Sequence, residues 1–242
     1  FETVNGTVPL PAGWTAVPIT GVTPLGTYTI SADGTYTYTL TTATTDVAGV
    51  DETDVINFQM TDGLGNEVTN TLTITIVDDV PTVTVTASGT APTLTVDETT
   101  LGTVATASFA ALFGNTPTYG SDGPGSVVST YSLSLPGSTN SGLVDTASGQ
   151  AVLLRTSASG VQGYIASGEV VFTVTVDVAT GEVTLTQARA LHHPIDTDHN
   201  DPVSMSAGLI SLTRSDTITD GDGDTAVGQA SADLGTHLVF LD

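Results

Sequence analysis

The sequence runs to 242 residues and carries 26 acidic side chains against three arginines, Arg155, Arg189 and Arg214, with no lysine, for a formal net charge of −23. That balance excludes nucleic acid as a partner, because like charges repel and no basic patch exists, and it argues against insertion into or docking on an anionic membrane. No apolar run approaches the ~20 residues of a membrane span, and no cysteine is present to build a disulfide framework.

The length suits one large domain or two ordinary ones. The chain opens on Phe1 rather than an initiator Met, which leads us to expect a piece of a longer protein. High net charge often accompanies disorder, but Val, Ile, Leu and Thr alternate strongly, so a folded β protein is predicted.

In chain order, the stretch 26–40, GTYTISADGTYTYTL, reads as a hairpin turning at Ala32-Asp33-Gly34. The stretch 54–79, DVINFQMTDGLGNEVTNTLTITIVDD, reads as a second hairpin turning at 62–66, with Leu72, Ile74 and Ile76 on one face. Val80-Pro81 is the predicted linker between an immunoglobulin-like sandwich over 1–79 and a larger sandwich over 82–242, since proline stiffens the link and removes a donor. Within the second part, 82–99 and 169–187 each form a hairpin, the latter turning at 179–181. Short helical turns are predicted at 105–114 and 186–194, the second stopped by Pro194. The fold class is thus all-β: two tandem sandwiches, the second with one or two short helices.

The acids concentrate at few places. If Asp62 faces Glu67, paired positions in the second hairpin sum to about 129. Asp51 then lies opposite Asp78, and Asp51, Glu52, Asp54, Asp78 and Asp79 share one end of the first domain. The hairpin starting at Pro81 returns by Asp97 and Glu98 to the same junction. Seven carboxylates without a lysine or arginine nearby in sequence would repel by several kcal/mol. Calcium, with six to eight oxygen ligands, relieves that repulsion, whereas magnesium demands stricter geometry. Without His or Cys in the cluster, zinc and copper do not fit. The alternative is that these acids are solvated loop residues.

The stretch 219–224, TDGDGD, is a further candidate through Asp220, Asp222 and Asp224. It starts like an EF-hand loop but has Thr225 and Ser231 where that motif needs Gly and Glu. Calcium in a hairpin turn and no calcium at all stay open. In the first domain TDGLGN has Leu64 and Asn66 at the equivalent places, which predicts a weaker site. The stretch 192–201, HHPIDTDHND, matches no zinc-hydrolase spacing and reads as a calcium-binding, hydrogen-bonded or solvated loop. No nucleophile elbow or phosphate loop is present, so no enzyme is expected. Threonine ladders raise surface binding but are commonly the polar face of a strand. Trp14, Tyr119, Tyr131 and Tyr164 are candidates for stacking on sugar, with core packing the default.

The segments 25–40 and 55–83 resemble the bacterial immunoglobulin-like (cadherin-like) repeats of giant repeats-in-toxin adhesins. The segments VDETTLGTVATASFAALF, SGLVDTASGQAVLL, GEVVFTVTVDVATGEVTLTQARALHHP and LISLTRSDTITDGDGDTA resemble the type I secretion repeat domain of the same proteins. The resemblance implies a secreted, Gram-negative cell-surface protein exported by type I secretion. Its role would be a calcium-rigidified extender and scaffold that holds ligand-binding modules away from the cell for adhesion and biofilm formation. The implied partners are neighbouring repeats of the same chain, with host or biofilm glycans or peptides met through other modules, in a monomer. The other reading is a domain that itself binds carbohydrate or peptide with calcium.

Overall fold

The computed structural model describes residues 2–42, 44, 52–77, 80–120, 123–195 and 200–242. The protein is all-β. Among the described residues the helical segments are three short 3-10 turns, Glu98–Thr100, Ala110–Leu112 and Gly235–His237. One falls in the predicted 105–114 stretch. The predicted turn at 186–194 is instead strand to Gln187 and then non-helical chain. The chain divides into two compact units, one of Phe1–Pro81, Thr118–Ser126 and Ile218–Ala226, the other of Thr82–Pro117, Val127–Thr217 and Val227–Asp242. The stretch 82–242 is therefore interrupted twice.

In the first unit the strands are β1 (Thr3–Thr7), β2 (Trp14–Ala16), β3 (Ile19–Val22), β4 (Gly26–Ile30), β5 (Thr35–Leu40), β6 (Glu52–Asp62) and β7 (Glu67–Ile76). They form a four-stranded sheet, β1-β5-β4-β3, and a three-stranded sheet, β2-β6-β7. Strict alternation drives β6: Ile56, Phe58 and Met60 turn inward while their neighbours face out. They pack with Ile30 and Tyr38 of the other sheet and with Val8, Ala16 and Ile74 into one core, which makes the pair of sheets a sandwich. Cross-strand glycines make room for tyrosine rings. Gly6 sits opposite Tyr36 and Gly21 opposite Tyr28, and a Cβ on either glycine would fall 2.6 Å from a ring carbon.

The second hairpin is closed one residue tighter than predicted. Glu52 pairs with Ile76 and Thr61 with Glu67, so the pairs sum to 128 rather than 129. Asp54 stands two and four positions before Ile56 and Phe58, so the alternation of β6 itself turns it inward with them, and it is buried.

In the second unit and the segments threaded with it, the strands are β8 (Thr82–Ala87), β9 (Leu94–Asp97), β10 (Val104–Ser108), β11 (Phe113–Thr118), β12 (Pro124–Ser134), β13 (Asn140–Val144), β14 (Ala151–Ser157), β15 (Gly160–Tyr164), β16 (Val170–Val176), β17 (Glu182–Gln187), β18 (Val203–Ser204), β19 (Ser211–Asp220), β20 (Thr225–Asp233) and β21 (Leu238–Leu241). The largest sheet runs β10-β17-β16-β15-β14-β13. Smaller ones run β12-β19-β20, β18-β21-β9 and β11-β8. The inward faces of these sheets meet in a core that includes Phe109, Leu154, Phe172, Leu185, Ile210 and Phe240, each at 1% exposure or less. Phe172 packs on Phe240 with ring centres 5.2 Å apart and lies over its cross-strand partner Gly163.

Candidate functional site: an acidic turn

Strands β19 and β20 are joined by the TDGDGD turn. Its frame is built by Asp220. The amide of Asp220 donates to the carbonyl of Asp224 at 3.0 Å. The Asp220 Oδ1 accepts from the amides of Gly223 at 3.1 Å and Asp224 at 2.8 Å. Gly223 has φ +116°, which a residue with a Cβ rarely adopts. Gly125 of β12 closes against the turn from outside: a Cβ there would come within 2.2 Å of the Asp220 carbonyl oxygen. The turn is thus held by backbone on both sides.

This frame brings Asp220, Asp222 and Asp224 together, with one carboxylate oxygen of each lying within 4.8 Å of the others. They are the one group of three or more metal-capable side chains among the described residues. Asp220 is 3% exposed, and its Oδ2 is buried with no hydrogen-bond partner. Burial pushes the Asp220 carboxyl up, while a hydrogen bond with Asp222 and the amides of Gly223, Asp224 and Asp222 pull it below its ordinary value. Three full charges at this spacing repel by roughly 3 kcal/mol per pair at an effective dielectric of about 20. A proton or a bound cation would relieve that. The donor set is all oxygen, with no imidazole or thiolate, which suits a hard divalent ion and suits calcium best.

Two other buried carboxylates are met by arginine. Asp145, at 0% exposure, takes Arg189 Nε at 2.8 Å and Nη2 at 3.0 Å, and Ser148 Oγ at 2.6 Å. The Arg189 hydrogen bond, working against burial, holds its carboxyl down at about 2. Asp216, also at 0%, takes Arg214 Nε at 2.7 Å, Arg214 Nη2 at 2.9 Å and Asn115 Nδ2 at 2.6 Å. Burial alone would raise Asp216, but Arg214, Ser129 and Asn115 keep it low.

The remaining predicted ligands fare differently. Asp51, Asp78 and Asp79 lie outside the described residues, and so does the convergence that rests on them. Glu52 is half-buried at the start of β6. Asp54 does not offer its carboxylate outward. Thr23 Oγ1 and the Tyr38 hydroxyl, the latter at 2.8 Å, both donate to Oδ2, and the Val55 amide donates to Oδ1 at 3.0 Å. Burial, and then that carboxylate, push the Tyr38 hydroxyl up to about 12. Asp97 caps the turn after β9, accepting from the Thr99 amide at 2.8 Å and from the Thr99 hydroxyl. Glu98 Oε1 is taken by Gln187 Nε2 at 2.9 Å, the Leu191 amide at 2.7 Å and His193 Nε2 at 3.2 Å. Asp54, Asp97 and Glu98 thus each carry hydrogen bonds within the chain, Asp97 through Oδ1 and Glu98 through Oε1.

The 192–201 stretch is a hydrogen-bonded loop where it is described. His193 is buried against the carbonyl of Asp201 at 2.5 Å, and Asp201 Oδ2 accepts from the Ile195 amide at 2.9 Å. Residues 196–199 lie outside the described set. The sequence reading missed both arginine–aspartate pairs. Arg214 and Asp216 were legible as an i, i+2 pair on one strand face, but Asp145 and Arg189 lie 44 positions apart and carry no local signal.

The protein is an all-β chain of packed sheets bearing an all-oxygen acidic turn. More than half of it, residues 93–235, matches the family described as "Domain of unknown function (DUF5801)", and the chain belongs to that family. No curated protein matches it. Among solved structures, the "Protocadherin GammaB4 extracellular domain" aligns with 95% of this chain at 14% identity and a TM-score of 0.19, a score at which the likeness carries no argument. The alignment spans 43% of that chain's length.

Proposed function

We propose that the chain is a calcium-stabilised structural module, an extender and scaffold, of a large secreted bacterial surface adhesin exported by type I secretion. The observation that carries the calcium part is the Asp220 Oδ2, buried and partnerless beside two further carboxylates. Asp220, Asp222 and Asp224 would hold the ion, and the ion would supply the positive charge that lysine and arginine do not supply at this turn. The adhesin part draws on the sequence resemblance and on a chain with three cations and no cysteines, which has few other cross-links at hand. Outside a cell, even a weak site of this kind fills at around millimolar calcium. The reading assigns no catalytic residue and takes neighbouring repeats of the same chain as the immediate partners.

The test is a thermal melt of the purified chain in calcium, in magnesium and in chelator, beside the same series for Asp220→Asn. A melting temperature raised by calcium, less by magnesium, and unmoved in the variant supports the reading. A wild-type melting temperature indifferent to chelator removes it.

A further inference from the structure

Two of the three arginines are committed to buried carboxylates: Arg189 to Asp145, with Glu169 beside it, and Arg214 to Asp216. Arg155 is different. Its guanidinium lies 4.4 Å from the centre of the Tyr164 ring, and its Nε donates to Gln162 Oε1 at 3.0 Å. Among the described residues no carboxylate lies within ion-pair distance of it, and none accepts from its Nη1 or Nη2. In a chain of charge −23 this is the cation that the described acids leave unneutralised.

The strand register places Arg155 in a row. It pairs with Gln162, Gln162 with Thr173, and Thr173 with Thr186, across β14, β15, β16 and β17. The row lies on the face opposite the buried Leu154, Val161, Val174 and Leu185. Thr175 and Thr184 pair in the adjacent row. The face thus carries a guanidinium edge, an amide and several hydroxyls on a rigid six-stranded sheet.

We propose that this outer face binds a carboxylate-bearing saccharide. The carboxylate meets the Nη edge of Arg155, and sugar hydroxyls meet the Gln162 amide and the Thr173 and Thr186 hydroxyls. The planar fork of arginine matches a carboxylate in two parallel hydrogen bonds. The ring beneath it and the Gln162 bond hold the fork before any ligand arrives, which lowers the ordering cost of binding. A protein partner would require a dry apolar centre, whereas the four central positions of this row are polar and its one exposed apolar side chain, Val104, stands at the β10 edge beside Thr186. The face contains no residue of the acidic turn, so its binding is independent of any ion there.

The experiment titrates trigalacturonate, and its neutral methyl ester, into the full chain by calorimetry at physiological ionic strength, where the overall negative field is screened. Each titration is run in calcium and in chelator. The acid binds, the ester binds at least about tenfold more weakly, and Arg155→Gln weakens the acid by about tenfold or more. Arg155→Lys keeps the charge, loses the fork and recovers only part of the affinity. Unchanged melting temperatures for both variants show that they fold. Three results each overturn the proposal: no binding of the acid, equal binding of acid and ester, or wild-type affinity in Arg155→Gln. An Arg155-dependent self-association, or capture of poly-glutamate in place of the sugar, overturns it in favour of an acidic protein partner.

Discussion

The protein makes the same turn twice and finishes it differently. In TDGLGN and TDGDGD the first aspartate closes the turn backbone, from Asp62 to the Asn66 carbonyl at 3.1 Å and from Asp220 to the Asp224 carbonyl at 3.0 Å. In both, its Oδ1 accepts the amide four residues on, at 2.9 Å and 2.8 Å. The difference lies at Oδ2. In the first turn Asn66 Nδ2 donates to it at 2.7 Å, and Leu64 stands out in solvent. In the second, Asp224 replaces the donor with another acceptor, Asp222 replaces the leucine, and the Asp220 Oδ2 is buried without a partner. Saturation by an amide makes a turn. Replacing that amide with carboxylates leaves the Asp220 Oδ2 without a donor from the chain, which is the feature the calcium proposal rests on. The same contrast separates Asp220 from Asp145 and Asp216, whose charge is met by arginine.

The most damaging way to break the contrast is to create a second uncompensated carboxylate. Arg189→Gln leaves Asp145 buried and charged, and it should cost about 3–5 kcal/mol in chemical denaturation. Calcium in hundredfold excess over its dissociation constant should stabilise the wild type by about 2.7 kcal/mol and Asp220→Asn by nothing.

Acid should separate the arginine-served site next. The Asp145 carboxyl is depressed from 3.8 to about 2 in the folded chain. Its contribution, roughly 2 kcal/mol, is complete above the unfolded value and is lost as pH falls through the folded one. Denaturation curves between pH 4 and pH 2 should show that loss in the wild type and not in Asp145→Asn.

Two swaps then exchange the turns. Asp224→Asn gives the second turn the amide of the first; without calcium it should be more stable than wild type by about 1 kcal/mol, and its calcium response should vanish. The reciprocal pair Leu64→Asp with Asn66→Asp should cost about 1 kcal/mol or less in chelator and gain a weak calcium-dependent rise in melting temperature. Its exposure to water makes that the smallest effect.

Three of the four predicted hairpins, 26–40, 54–79 and 169–187, were legible because period-two alternation and turn residues are local signals; the fourth, 82–99, is not a hairpin, since β8 pairs with β11 and β9 with β21, partners far away in sequence. Register was legible only to within one residue. The inward turn of Asp54 toward Tyr38 and Thr23 was legible in its own strand, because it alternates in step with Ile56, Phe58 and Met60. Glu98 reads as a free acid in sequence because His193, which it meets, is 95 positions away. The DxDxD spacing of 220–224 was visible, since turn ligands are near neighbours. Its buried, partnerless oxygen was not, because burial depends on chain distant in sequence, such as β12, whose Gly125 packs against the Asp220 backbone. Nothing in the order of residues shows that Arg155 would find a ring and an amide but no described acid.

A crystal structure of the chain grown in calcium, with anomalous difference maps, tests the central claim most directly. The account predicts an anomalous peak about 2.4 Å from Asp220 Oδ2, shared with Asp222 and Asp224, and none at Asp62. A turn that holds only water or a proton between its carboxylates at millimolar calcium would contradict it.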